Sequence, residues 1–197
     1  MTPPQLDRAL ARIDQLNSDD PARDVVDGVP QPRELVYAKR LTAWVLRLDP
    51  NASEALRIAA RGQHVRRWTI PRSQYPMNRQ GYLRWRETLK TFHANTVGDI
   101  MGQAGYDATM IQRVTRLITK KDLATDRETQ TLEDALCLLF LEAQFADLKR
   151  KTADEKMRDV LRKTWQKMSA QGRAEATRLA LGPEDRAYLS QTLGEPF

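Results

Sequence analysis

The run ALCLLFL, residues 135–141, constrains this chain more than any other stretch. It is the longest apolar run present, and its seven residues are far too few to cross a bilayer. It lies within a helical segment over 131–149 whose middle is apolar nearly all round. A helix of that kind has to be buried among other helices. The expected fold is therefore all-α, a single compact multi-helix domain over 1–197 built around this central helix.

The rest of the chain supplies the surrounding helices. Residues 5–16 repeat their apolar positions at helical spacing, and 34–48 carry Leu35, Ala38, Leu41, Val45 and Leu48 on one stripe. Between them, 21–33 reads as a loop broken by Pro21, Gly28, Pro30 and Pro32. Ser53 or Asn51 caps a further helix running to about Trp68. A loop holding two prolines and a glycine follows over 69–81, and loops of that length are usually functional or mobile. Helix resumes over 82–103, Asp107 caps another over 108–119, and two more fall at 153–170 and 172–181, separated by Gly172. A short last helix spans 183–193. No alternating strand pattern of useful length is visible.

Charge is distributed unevenly. Between residues 55 and 90 there are nine Lys or Arg and one acid, Glu87, a balance of +8. The whole chain carries +6, so the remainder sums to −2. Such local basicity points to an anionic partner at one place. Arg61, Arg67, Arg72, Arg79 and Arg86 suit phosphate or carboxylate through their planar forks. Trp68, Tyr75, Tyr82 and Trp85 lie between them and offer faces for bases or guanidinium planes. One cysteine, Cys137, excludes an internal disulfide framework, and the opening residues lack the apolar core of a secretory signal. The expected setting is cytoplasmic, with no membrane partner.

Both histidines fall within residues 61–94, in the basic segment or just past its end. His64 shares a helical face with Arg57, Arg61 and Trp68, and His93 lies on the next helix, on the same face as Arg86. Glu133 and Asp134 stand at the first turn of the central helix, where acids favour the helix dipole. Asp134 shares a stripe with Cys137, Leu138, Leu141 and Phe145, so burial would oblige it to find a partner.

His64, His93 and Asp134 on successive helices resemble the ligands of the HD superfamily of metal-dependent phosphohydrolases. That resemblance implies one divalent metal ion held by these three, Glu133 as base, and arginines clamping the phosphate. The chain departs from the pattern at Ala94, where the family's paired aspartate would stand. Lys120 or Lys121 occupies the place of a further histidine in some of its families. Lys167-Met168-Ser169 resembles the core of the signature loop of class I aminoacyl-tRNA synthetases, which works beside a Rossmann fold that this chain lacks. Taken together, AARGQHVRRW, IPRSQYPMNRQGYLRWR, LKTFHA, QTLEDALCLLFLE and LRKTWQKMS resemble the bacterial and fungal domain-of-unknown-function family 4202, over about residues 12–181. This resemblance implies a cytosolic all-helical domain and no particular activity.

Three readings follow. The first is a pocket for a phosphorylated, nucleotide-like ligand, lined by the His64, His93 and Asp134 segments and the loop between them. The second is a non-catalytic helical module that docks RNA or an acidic protein on the same basic face. The third is a scaffold in which the histidines pair with Glu133 and Asp134 inside the core.

Overall fold

In the computed structural model, which describes residues 4–197, ten α-helices and one β-hairpin are present among the described residues. The helices are α1 Gln5–Ser18, α2 Arg33–Leu48, α3 Glu54–Gly62, α4 Arg79–Ala104, α5 Ala108–Thr119, α6 Arg127–Ala143, α7 Phe145–Lys151, α8 Asp154–Lys167, α9 Ala170–Ala176 and α10 Pro183–Leu193. The fold is all-α, and no helix among the described residues is long and apolar enough to cross a membrane.

Two helices form the centre. On α3, Ala55, Leu56, Ile58, Ala59 and Ala60 are buried, and small residues let α1, α2, α4 and α5 approach closely. On α6, Leu132, Ala135, Leu138, Leu139 and Leu141 are buried against α2, α3, α8 and α9. The expected central helix is thus present, but its limits differ from 131–149. Asp126 caps it four residues earlier by accepting from the Thr129 N–H at 2.8 Å, and Arg113 of α5 holds that carboxylate in place. Gln144 leaves helical geometry (φ −124°, ψ −21°), so α7 is a separate helix.

Other boundaries move for local reasons. Residues 21–33 are not a plain loop: β1 (Arg23–Val26) and β2 (Val29–Pro32) pair antiparallel. Asp27 and Gly28 both take positive φ, 50° and 78°, the demand of a tight hairpin turn. Ser53, not Asn51, caps α3, accepting from Leu56 N–H at 3.1 Å. That helix stops at Gly62 instead of reaching Trp68, because Arg66 turns left-handed (φ 52°) and gives its N–H to Asn17 at 3.0 Å. The single face expected for Arg57, Arg61, His64 and Trp68 is therefore broken, and His64 sits in a turn. Asn78 starts α4 three residues early by accepting from Gly81 N–H at 2.8 Å.

The C-terminal helices divide at Met168-Ser169, not at Gly172. Asp134 explains this. It is 3% exposed and accepts from the Ser169 N–H at 2.8 Å, the Ser169 hydroxyl at 2.5 Å and Gln130 at 3.0 Å. Ser169 in turn caps α9 by accepting from the Gly172 N–H at 3.1 Å. Gly172 lies against this carboxylate: a Cβ there would stand 2.6 Å from Asp134 Cγ. Asp134 is short and tied by its hydrogen bonds, so it has no room to yield. Gly172→Ala is expected to lower unfolding free energy by about 1–3 kcal/mol through overpacking. Gly102→Ala, in open space on α4, should stabilise by about 0.5–1 kcal/mol. Urea unfolding of both variants checks this, and an unchanged Gly172→Ala midpoint would contradict the packing described.

Candidate functional site

A cleft of ≈ 310 Å³ opens where the 63–67 turn, α4, the α5 C-terminus, α6 and the α8 C-terminus meet. Five cationic side chains line it, Arg67, Arg86, Lys90, Lys120 and Lys167, and one carboxylate, Glu133. Each cation arrives for a different local reason. Arg67 lies over the Trp85 ring at 5.0 Å, and Arg86 lies over Tyr82 at 5.8 Å. Trp85 is itself fixed, its indole N–H donating to the Ile70 carbonyl at 2.9 Å. Lys120 is the left-handed cap of α5, and Lys167 is the last residue of α8. Neither Arg67 nor Arg86 makes an ion pair with a carboxylate among the described residues, whereas Lys90 is paired with Glu87 at 2.6 Å.

Glu133 is buried and sits between two lysines, 2.5 Å from Lys120 Nζ and 3.6 Å from Lys167 Nζ. Burial opposes its charge, but Lys120 first, then Lys167 and Arg86, outweigh that and hold its carboxyl below the ordinary value. Glu133 is thus placed as an internal counter-ion to Lys120 and Lys167. Cys137 also lines the cleft, but burial pushes its thiol up to about 12, which leaves it without thiolate character.

The two histidines do converge, with ring centroids 6.0 Å apart. His93 Nδ1 faces the Val65 carbonyl at 3.0 Å. A carbonyl only accepts, so Nδ1 carries the proton and Nε2 keeps its lone pair, buried and without a partner. His64 stacks on Tyr37 at 4.2 Å, and its Nε2 lies 2.8 Å from Arg67 Nη1. Arginine only donates, so His64 also carries its proton on Nδ1, which faces Glu34 at 3.3 Å. Burial, and then the positive charges of Arg67, Lys120 and Arg86, press the His64 pKa well below its ordinary value. Burial, and then His64, bring His93 to about 3. Both rings are neutral at physiological pH.

The residues expected as metal ligands do not form a metal site. Asp134 is turned away from the histidines and spent on Ser169 and Gln130. The lone pair of His64 is taken by an arginine, and Ala94 offers no oxygen. Five cations surround the cleft and repel a divalent ion. Among the described residues, no group of three His, Cys, Asp or Glu is arranged to hold a metal ion.

The expected ligand-binding residues divide in the same way. Arg67, Tyr82, Trp85 and Arg86 line the cleft. Arg61 does not: its guanidinium grips Asp14 of α1 at 2.9 and 2.8 Å and Thr42 of α2 at 3.0 Å. Arg72 staples its own loop through the carbonyls of Tyr75, Pro76 and Asn78. Trp68 and Tyr75 are half-buried outside the cleft, and Arg79 is exposed at the start of α4. Tyr37, Lys120 and Lys167 escaped the sequence reading as cleft residues. The last two carry one weak signal, a cation at a helix C-terminus.

Comparison with known proteins gives one match: the family described as Domain of unknown function (DUF4202), over residues 7–188. No curated protein and no solved structure matches the chain.

The titration of the site predicts how stability varies with pH. The unfolded histidines take up protons below about 6.5, which His64 and His93 refuse in the fold. Stability is therefore lost as pH falls below that value. Glu34 acts oppositely: burial raises its carboxyl to about 7, so the folded state holds a proton that the unfolded state releases above 4.5. Two histidines oppose one glutamate, so Tm should fall between about pH 6.5 and 5. Glu34→Gln removes the opposing contribution and should steepen that fall. Thermal unfolding across this window checks both, and a flat profile would contradict the placement of the histidines.

Proposed function

We propose that this chain, which belongs to the domain-of-unknown-function family DUF4202, binds a phosphorylated small molecule in the cleft between Arg67, Arg86, Lys120 and Lys167, without a metal ion. The family brings no activity with it, so the reading rests on the site. One observation carries it: four cations from four separate parts of the chain face one concave space, and the only carboxylate there, Glu133, cannot neutralise them. Among the described residues Arg67 and Arg86 make no close ion pair with a carboxylate, and each lies over an aromatic ring. A phosphate supplies the missing charge and accepts the donors of several cations at once. The neutral histidines suit this role, since they add no charge and present polar edges for orientation.

A second reading is favoured by a different observation. Arg66, Arg79 and Arg84 are exposed and have no ion pair among the described residues. They continue the basic surface beyond the cleft, as an RNA-docking module or a receptor for an acidic protein would need. The cleft reading predicts saturable binding of inorganic phosphate or ribose 5-phosphate at one site, whereas the docking reading predicts binding of oligonucleotides alone, with a steep salt dependence.

Calorimetric titration with ribose 5-phosphate should show one site. Arg86→Ala and Lys167→Ala are each expected to weaken it roughly tenfold, the loss of one charge-assisted contact. Glu133→Gln removes the internal counter-ion and should tighten phosphate binding while lowering the Tm of the free protein. Unchanged affinity in Arg86→Ala would sink the cleft reading.

A further inference from the structure

The cleft does not end at its histidines. Tyr37, His64, Arg67, Phe140 and Gln144 also line a second cleft, of ≈ 510 Å³, on the other side of the same wall. The two spaces therefore adjoin, and Arg67 reaches both. Their chemistry differs. In the second cleft two of the arginines are already matched: Arg33 pairs with Asp24 at 2.8 Å and Arg40 with Glu142 at 2.9 Å. Its floor is apolar, formed by Val36, Leu139, Phe140 and Ala143. A flat uncharged body gains apolar contact there.

Unpartnered acceptors say what such a ligand must donate. Among the described residues, His93 Nε2 and Gln63 Oε1 in the first cleft are buried with no hydrogen-bond partner, whereas Glu34 in the second already faces the His64 Nδ1–H at 3.3 Å. Buried acceptors left unmatched are costly, and each is relieved by an O–H or N–H. The order along the two clefts is thus cations, then unpartnered acceptors beside them, then an apolar floor.

Resting on the phosphate reading above, we infer that the ligand is a nucleoside monophosphate, its phosphate among Arg86, Lys120 and Lys167 and its base in the second cleft. The sugar hydroxyls meet His93 and Gln63. The base lies over Phe140. Arg67 bridges the two parts.

The test is calorimetric titration with inorganic phosphate, ribose 5-phosphate and AMP, on the wild-type chain and on Ala143→Trp. Ala143 is exposed at the end of α6 and lines only the second cleft, so the indole fills that cleft and leaves the first untouched. Wild-type protein should bind AMP at least tenfold tighter than ribose 5-phosphate, and Ala143→Trp should erase that gap with ribose 5-phosphate affinity unchanged. Equal affinities for AMP and ribose 5-phosphate in the wild type would overturn the inference and leave the phosphate reading standing. A tryptophan variant that weakens both ligands equally would also overturn it, because the second cleft would then hold no separate part of the ligand. Binding of none of the three would remove the phosphate reading and the inference together. The wild-type comparison stands on its own should the variant fail to fold.

Discussion

Two neighbouring carboxylates are buried on the most apolar helix of this fold, and most of the architecture around them serves to neutralise or saturate them. Glu133 and Asp134 are 4% and 3% exposed. An unpartnered carboxylate in such a place is very costly, so each has to recruit donors from other elements. Adjacent positions on a helix point about 100° apart, and the two acids recruit in different directions. Asp134 takes the backbone and hydroxyl of Ser169, which fixes the corner between α8 and α9. Glu133 draws in Lys120 from the end of α5 and Lys167 from the end of α8. One acid thus builds the scaffold, and its neighbour gathers the cations that give the cleft its charge.

That division also decides the chemistry of the site. With Asp134 committed to the scaffold and Ala94 beside His93, the histidines lack the oxygen ligands that a hard divalent ion needs. Burial first, and then the positive charges crowding the same space, keep both imidazoles neutral. The two histidines do meet in space. What meets beside them is a pair of lysines and two arginines, the cations on which the proposed phosphate binding rests.

The sequence made some of this legible and hid the rest for physical reasons. The apolar run at 135–141 identified the central helix, and Asp107 marked the start of α5 where it is found. His64, His93, Arg67, Trp85, Arg86 and Glu133 were chosen from residue type and spacing, and all line the cleft. Arg61 and Arg72 carry the same chemistry in sequence, but Arg61 finds Asp14 through tertiary packing, and Arg72 is taken by the carbonyls of Tyr75, Pro76 and Asn78 as its own loop folds back. Lys120 and Lys167 lie far from the basic segment, and only the burial of Glu133 brings them in. The break after Gly62 was hidden too, since it depends on Asn17, remote in sequence, receiving the Arg66 N–H.

The central claim is that the cleft is a cation-lined space in which both histidines stay neutral with the proton on Nδ1. Nitrogen-15 NMR of the two imidazoles between pH 5 and 7.5 tests it directly. The account predicts that both rings show the Nδ1–H tautomer and that neither titrates in this range, consistent with the His93 pKa of about 3. A histidine that protonates with a midpoint near its ordinary value of about 6.5, or one that holds its proton on Nε2, would contradict it.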